Sequence, residues 1–307
     1  MIKKPISVAI VILHWQYHQF TIECLKSLQK IKNEKIKITI YLLDNGSTNH
    51  SDIILSKFIK GTPLEIKFFH SRKNLGFAKG NNFLIKKALK NKFDYVCLLN
   101  NDTEVEKNFL STLISIAEKE NQIGAVGGKI YLLDKSSVKK QLVLWYAGGG
   151  PLTPQEIYPE NRGYRENDHG QYNKTEETDF ITGCLFLVKA KIFDEIGFFD
   201  ERFFHTYEDV DFSLRIKRAG FKLVYCSRAV IWHHGSASSS PESEFMNYFT
   251  TKGAFLYAWK WLPLTTKIHS IKEGVRLLFK GSFWQRVAVL DFFRRRFGRG
   301  SWIGDPT

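Results

Sequence analysis

The first 130 residues alternate short, β-branched apolar runs with stretches of helical periodicity. Runs such as "SVAIVIL", "KITIYLL" and "YVCLL" are each followed by a helical pattern, for example "FTIECLKSLQKI" after the first. Strands that alternate with helices of this length form βαβ units around a mainly parallel sheet. The sequence therefore predicts an α/β fold with a doubly wound sheet, and 307 residues that are 43% hydrophobic suffice for one large core.

The two common phosphate-binding fingerprints of such folds are missing from the sequence. No GxGxxG follows the first strand, and no GxxxxGK[ST] occurs anywhere. We therefore expect neither a dinucleotide-dependent dehydrogenase nor a P-loop NTPase.

The net charge of +14 and the pI near 9.5 indicate an anionic partner, although a generally lysine-rich surface would give the same numbers. Cys24, Cys97, Cys184 and Cys226 form no CxxC pair, which fits a reducing cytoplasm. The longest apolar runs, such as "ISVAIVIL", fall short of the roughly 18 to 20 residues that span a bilayer. We therefore expect no transmembrane anchor and no exported leader.

The chain divides by composition into a domain of residues 1–240 and a helical, basic segment of residues 241–307. Within the domain, a nucleotide-binding half is expected over about 1–130 and an acceptor half over about 131–240. The irregular stretch 151–177, rich in Pro, Gly and charge, predicts a long loop of the kind that is usually functional.

The C-terminal segment carries much of the positive charge. From Lys252 onward, eleven Lys or Arg stand against three acids, a net +8. Apolar residues recur at spacings of three and four among arginines: Val287, Leu290, Phe293 and Phe297 beside Arg286 and Arg294 to Arg296. This pattern fits a helix lying in a membrane interface, and equally a helix that packs on the domain and exposes its arginines.

Polar residues follow two predicted strands at the point where each ends. In "LLDNGST", Asp44 could accept hydrogen bonds from a base or ribose, or could form an Asx-turn. In "CLLNNDTEV", Asp102 with Asn100 or Asn101 offers oxygen ligands to a divalent cation, or caps the next helix. Ligands of open α/β sheets bind at the carboxyl ends of strands, so both places are candidate sites.

Two later motifs add acids and histidines. In "HTYEDVDF", three carboxylates crowd a helix start, where the macrodipole favours them, and Glu208 and Asp211 share a helix face while Asp209 points elsewhere. In "VIWHHGSAS", His233 and His234 directly follow a strand. Asp209 and one of the two histidines are therefore candidates for contact with a ligand.

In this order, the motifs resemble the inverting glycosyltransferases of family 2 with the GT-A fold. The resemblance covers residues 6 to about 262 and includes "RKNLGFAKGNN" and "FITGCLFLVKAKIFDEIGFFDERFFHTYEDVDF". The segments "GYRENDHGQY" and "NYFTTKGAFLYAWK" are similar to a bacterial branch that includes rhamnosyltransferases building surface polysaccharides.

The resemblance implies a role for each matching residue. Asp209 would be the general base, and Asp102 with His233 would hold the metal. Donor binding would fall to Asp44, Asn74, Gly76, Asn100 and Asn101. The acceptor side would be formed by Gly183, Cys184 and Glu208. Asn100 departs from the family's frequent Asp-x-Asp pattern, which leaves one carboxylate there and leaves Mn²⁺ and Mg²⁺ both open as the metal.

Together with the resemblance, these observations predict a metal-dependent, inverting transferase that uses a nucleoside-diphosphate sugar, with dTDP-rhamnose or a UDP-sugar as candidate donors. Its acceptor would be a bacterial polysaccharide or lipid-linked glycan, and no nucleic acid would be bound. The enzyme would work in the cytoplasm or on the inner face of the membrane, and we expect its basic segment 241–307 to attach it to the membrane surface. The alternatives are a sugar-phosphate nucleotidyltransferase and a non-catalytic protein that binds nucleic acid or membranes through its charge.

Overall fold

The structure, a computed structural model, describes residues 4–31, 35–133, 142–235 and 243–304. Its strands are β1 (Ile6–His14), β2 (Ile36–Asp44), β3 (Ile66–His70), β4 (Tyr95–Leu99), β5 (Thr103–Val105), β6 (Ile123–Leu132), β7 (Leu144–Tyr146), β8 (Glu176–Glu177), β9 (Leu185–Lys189) and β10 (Lys222–His233). Its helices are α1 (His18–Leu28), α2 (Ser51–Lys60), α3 (Phe77–Leu89), α4 (Phe109–Ala117), α5 (Ala190–Ile196), α6 (Glu208–Arg218), α7 (Glu244–Trp261), α8 (Leu264–Lys280) and α9 (Phe283–Phe293).

The described strands form one mixed sheet in the order β3-β2-β1-β4-β9-β6-β10-β5, with β7 beside β6 and β8 beside β10. Strands β1 to β4, β6 and β10 run in one direction, whereas β9 lies antiparallel between β4 and β6. The predicted α/β fold with mainly parallel long strands is confirmed. The reversal of β9 matters for function because it brings the start of that strand to the edge where its neighbours end.

The central strands are apolar on both faces because helices cover both sides of the sheet. In β1, Val8, Ile10 and Ile12 enter one buried cluster, whereas Ala9 and Val11 enter the other. Fully buried parallel strands of this kind read as continuous apolar runs. This is why the first strand showed no polar alternation in the sequence.

The C-terminal extension is helical, as predicted, and it packs on the domain. Phe204, from the loop before α6, joins a buried cluster with Phe245, Phe249 and Trp302. Helix α9 begins with a capping box in which Ser282 and Gln285 exchange hydrogen bonds. None of the helices within the described ranges combines the length and hydropathy needed to cross a membrane.

Ion pairs and hydrogen bonds anchor the long loop between β7 and β9 to the rest of the domain. Lys129 of β6 is 2% exposed and donates to Asp168 at 2.7 Å and to Asn173 at 2.7 Å. Arg162 pairs with Glu176 at 2.8 Å. A buried ammonium requires such partners, so these contacts tie the loop to the sheet.

Candidate active site

The ends of β2 and β3 form one hydrogen-bonded cradle. Asp44 is buried at the end of β2, and its carboxylate accepts from the backbone N–H of Ser47, three residues on, at 3.1 Å. The neighbouring Asn45 donates to Asn74 Oδ1 at 3.2 Å, and the N–H of Gly76 donates to the same oxygen at 2.8 Å. The predicted donor residues Asp44, Asn74 and Gly76 therefore lie together.

Gly76 adopts a conformation that other residues rarely take. Its φ is +78°, and a Cβ at this position would lie 2.5 Å from the carbonyl oxygen of Phe204. The next residue, Phe77, donates its N–H to the same oxygen at 2.7 Å. The cradle is thereby joined to the loop that leads into α6.

The polar turn after β4 is held from two sides. The N–H of Asn100 donates to the carbonyl of Cys184 at 3.1 Å. The side chain of Asn101 donates to Thr21 Oγ1 at 2.9 Å, and that oxygen is also 2.7 Å from Nδ1 of His14. Burial lowers the pKa of His14 to about 3, so the ring is neutral and acts as a hydrogen-bonding group.

Asp102 and His233 lie side by side because β5 pairs with the end of β10. His233 is opposite Thr103 in this antiparallel register, and its Nε2 is 3.1 Å from Asp102 Oδ1. Burial would raise the pKa of the Asp102 carboxyl, but the charge of His233 and its hydrogen bond outweigh it, so the pKa is below its ordinary value. An ionised carboxylate beside an imidazole is a suitable donor set for Mn²⁺ or Mg²⁺.

The ring of His233 presents Nε2 to Asp102 and buries its other nitrogen. Nδ1 has no hydrogen-bond partner among the described residues, and Trp145 packs edge-on against the ring at 4.7 Å between centroids. Because Nε2 and the ionised carboxylate are 3.1 Å apart, the donor set of this pair fits a divalent cation.

A second group of possible metal ligands lies next to the first. Glu23, Glu104 and His234 place one ligand atom each within 4.8 Å of one another. His234 also donates its backbone N–H to the carbonyl of Asp102 at 2.9 Å. The two consecutive histidines thus point toward different acidic partners.

Asp209 is the acid that contacts Gly183, at the start of the segment leading into β9. Its Oδ2 accepts from the N–H of Gly183 at 2.9 Å, and its Oδ1 accepts from the N–H of Val210 at 2.8 Å. Burial raises the pKa of Asp209 despite these hydrogen bonds. The carboxyl of the neighbouring Glu208 is also buried. Its pKa is well above the ordinary value, mainly because of this burial and secondly because of the charge of Asp209.

The turn before α6 is strained. Thr206 and Tyr207 have φ angles of +68° and +69°, which cost roughly 1 to 3 kcal/mol for residues other than glycine. Helix α7 packs tightly against this turn, because a Cβ on Gly253 would lie 2.7 Å from the Tyr207 ring. The packing of the C-terminal helices therefore holds the turn that positions Glu208 and Asp209.

Asp211, the third acid of the motif, has a structural role. It is fully buried and pairs with Arg215 at 3.0 Å, and it accepts from Trp261 Nε1 at 2.8 Å. This pairing ties α6 to the end of α7.

Two hydrogen bonds connect the base candidate to the metal candidate. Gly183 contacts Asp209, and the following Cys184 contacts Asn100. Burial raises the pKa of the Cys184 thiol, and the charges of Asp102 and Asp209 raise it further. Both acids therefore lie near this thiol. The residues predicted from separate motifs thus meet at one edge of the sheet.

Sequence reasoning missed several residues of this site. Asn45 was visible in "LLDNGST" as part of a turn, and His14 was visible as a lone histidine at the end of a strand. Thr21 and Phe77 gave no signal, because both lie inside ordinary helical patterns.

Comparisons with known proteins agree with this geometry. The profile of Glycosyl transferase family 2 matches residues 9–197, and that of Glycosyl transferase family group 2 matches residues 160–290. The chain is 24% identical over 286 residues to the O-antigen chain rhamnosyltransferase WbaN of Salmonella anatum, which covers 90% of this chain and 82% of the relative. It is 26% identical over 218 residues to the N-acetylglucosaminyl-diphospho-decaprenol L-rhamnosyltransferase of Mycobacterium tuberculosis strain H37Rv, covering 66% of this chain and 68% of the relative.

Other relatives are much longer, and the chain spans 22% and 16% of the length of two of them. Among solved structures, GalNAc-T7 with UDP, GalNAc and Mn²⁺ matches with a TM-score of 0.63 at 19% identity, covering 95% of this chain and 54% of that one. This likeness shows the GT-A fold. Because the family 2 profile matches more than half of the chain, the protein belongs to glycosyl transferase family 2.

Proposed function

We propose that the protein is a metal-dependent, inverting transferase that moves a sugar from a nucleoside diphosphate to a hydroxyl of a bacterial polysaccharide or lipid-linked glycan. The observation that carries this proposal is the position of Asp209, which is partly exposed and lies two hydrogen bonds from the turn that bears Asp102. The family membership favours this activity over that of a nucleotidyltransferase or a charge-driven binding protein.

Asp209 is the proposed general base. It takes the proton of the acceptor hydroxyl while that oxygen attacks the anomeric carbon from the face opposite the diphosphate. The bond between the sugar and the diphosphate breaks, and the diphosphate leaves with the electron pair. The N–H groups of Gly183 and Val210 aim the carboxylate. A raised pKa makes the carboxylate a stronger base near neutral pH.

The donor is proposed to lie along the adjoining strand ends. Asp44, Asn74 and Gly76 would hold the base and ribose, and Asn100 and Asn101 would hold the donor near its diphosphate. Asp102 and His233 would hold the divalent cation. When bound, such a cation neutralises the charge that develops on the departing diphosphate, so no protonating acid is required.

The proposed donors are dTDP-rhamnose and UDP-sugars. The first is supported by the relatives named as rhamnosyltransferases, and the second by GalNAc-T7, whose structure contains UDP. A lipid-linked acceptor is supported by the diphospho-decaprenol in the name of the mycobacterial relative. We place the reaction in the cytoplasm, on the inner face of the membrane, because the four cysteines are free and buried as in a reducing compartment.

Thermal unfolding with UDP, GDP, dTDP and CMP, each with and without Mn²⁺, tests donor binding. We expect one nucleotide to raise the melting temperature only with metal, and Asp102→Asn to abolish that shift while the exposed Glu106→Gln preserves it. Transfer from the matching nucleotide sugar, followed by NMR of the product's anomeric configuration, tests inversion. No shift with any nucleotide, or a product with retained configuration, would contradict the proposal.

A further inference from the structure

One face of helix α8 is buried against the protein, and the opposite face is exposed and apolar. Its buried residues are Thr266, Ser270, Gly274 and Leu277, which recur every three or four positions and pack on the protein. On the other side lies an exposed apolar row, here called the α8 stripe: Leu264 (71% exposed), Ile268 (47%), Ile271 (38%), Val275 (51%) and Phe279 (78%). Its spacings of four, three, four and four place all five side chains on one side of the helix.

Basic residues flank the α8 stripe. The helix contains Lys267, Lys272, Arg276 and Lys280 against a single acid, a net charge of four minus one, or +3. That acid, Glu273, pairs with Arg276 and does not oppose the other cations. An apolar row between cations has the composition of a helix that lies in the headgroup region of an anionic bilayer.

Another exposed apolar residue follows the end of the helix. Phe283, four positions after Phe279 and at the start of α9, is 67% exposed. By contrast, the row predicted near the C-terminus is divided: Val287 and Phe297 pack against buried clusters, which leaves Leu290 and Phe293 exposed. The larger free apolar surface therefore belongs to α8.

We propose that the α8 stripe is a membrane-binding surface, on which α8 lies in the plane of an anionic bilayer with the stripe below the headgroups. The 17 residues of the helix give it a length of about 26 Å, enough for five apolar anchors side by side. A second copy of the chain is a poorer occupant, because pairing two stripes would bring their flanking cations together. This surface is independent of the reaction chemistry.

Helix α8 is also joined to the candidate site. Thr266 Oγ1 donates to the carbonyl of Pro154 at 2.6 Å, and the hydroxyl of Tyr207 donates to the carbonyl of Ile157 at 3.0 Å. The loop segment 154–157 thus lies between α8 and the strained turn that precedes Asp209. Delivery of a lipid-linked acceptor along this path rests on the proposed function, whereas membrane binding does not.

Cosedimentation of the full chain with vesicles tests the surface, using phosphatidylcholine vesicles with and without phosphatidylglycerol. We expect wild-type protein to bind the anionic vesicles, and Ile271→Glu/Val275→Glu to weaken partitioning at least about tenfold. The matched control Ile53→Glu/Ile54→Glu removes two exposed apolar residues from α2 with the same charge change, and should stay within about twofold of wild type. Thermal unfolding of both variants verifies that they fold.

A labelled cysteine gives a second measurement that does not depend on loss of binding. All four native cysteines are buried, so Val275→Cys can be labelled selectively with an environment-sensitive dye, with Ile53→Cys as the control. We expect anionic vesicles to shift the emission of the dye at position 275 to the blue, with no change at position 53.

Three outcomes would overturn the membrane-binding surface. Wild-type protein could fail to bind phosphatidylglycerol vesicles, or the α8 double variant could bind as well as the α2 control. Light scattering could instead show a wild-type dimer that the α8 variant converts to a monomer while neither binds vesicles, which would make the stripe a self-interface. Because none of these measurements uses a donor or an acceptor, failure here would leave the proposed reaction standing.

Discussion

The carboxylate of Asp209 accepts a hydrogen bond from the backbone N–H of Gly183 at 2.9 Å, and this contact joins the start of α6 to the start of β9. Gly183 leaves no room for a side chain, because a Cβ there would lie 2.8 Å from the ring of Phe77. A backbone donor between packed elements cannot rotate away, so it fixes the direction in which the carboxylate points.

Asp209→Asn should lower kcat by about 10²- to 10⁴-fold, because the amide cannot accept the proton of the acceptor hydroxyl. Donor binding, measured as the nucleotide-dependent thermal shift, should remain close to wild type. Asp194→Asn, which changes an exposed acid on α5, serves as the control. Wild-type turnover by Asp209→Asn would remove this residue from the role of base.

The pH dependence of transfer should follow the protonation of Asp209. The base works in its deprotonated form, and burial raises its pKa, so kcat/KM for the acceptor should fall on the acid side at a higher pH than an ordinary aspartate would give. The pKa of Glu208 is raised well above its ordinary value, so this carboxyl stays protonated while Asp209 titrates, and Glu208→Gln should leave the fall close to its wild-type pH. A fall that moves to lower pH in that variant would show that the two carboxyls titrate as a pair.

Metal-dependent donor binding should distinguish the two neighbouring sets of ligands. Asp102→Ala and His233→Ala should each abolish the Mn²⁺-dependent part of the thermal shift, since each removes one of only two proposed protein ligands. Glu104→Gln and His234→Ala should preserve most of it. The reverse pattern would assign the metal to the group of Glu23, Glu104 and His234.

Gly76 and Gly197 form a matched pair for testing the packing of the cradle that contains Asp44 and Asn74. Both have a positive φ, +78° and +79°, but a Cβ on Gly76 would collide with Phe204, whereas one on Gly197 would meet no atom of the described residues within 4 Å. Gly76→Ala should therefore lower the free energy of unfolding by roughly 1 to 3 kcal/mol more than Gly197→Ala. Chemical denaturation of the two variants compares them directly, and equal losses would mean that the collision relaxes freely.

Asp200 should contribute to stability in a pH-dependent way. Burial would raise its pKa, but hydrogen bonds from Arg202 at 2.6 Å and Lys260 at 2.8 Å hold the pKa far below the ordinary value of 3.8. A depressed pKa gives stability that is present above that ordinary value and lost as pH falls below it. Asp200→Asn should cost roughly 1 to 3 kcal/mol at neutral pH.

The check is denaturation at several pH values. As pH falls below 3.8, the wild-type protein should lose stability more steeply than Asp200→Asn, because the variant has no carboxylate to protonate there. Parallel curves would mean that the ion pair contributes nothing to acid sensitivity.

The sequence predicted the strand ends correctly because polar residues after buried runs mark the carboxyl edge of a sheet, as at Asp44 and Asp102. The choice between His233 and His234 as neighbour of Asp102 could not be made, since it depends on the register between β5 and β10. The reversed direction of β9 was also out of reach, because a short apolar strand carries no mark of its orientation. Likewise, periodicity identified the apolar row from Val287 to Phe297 without telling which of its members pack and which stay exposed.

The reversed strand β9 has a consequence for how the chain folds as it is synthesised. Until residues 185–189 leave the ribosome, β4 and β6 have no partner between them, although both were made more than fifty residues earlier. The nascent N-terminal half therefore carries two open sheet edges that invite wrong pairing. The insertion of this one short strand closes both edges and fixes Gly183 in place before Asp209, which follows β9 in the chain, has been made.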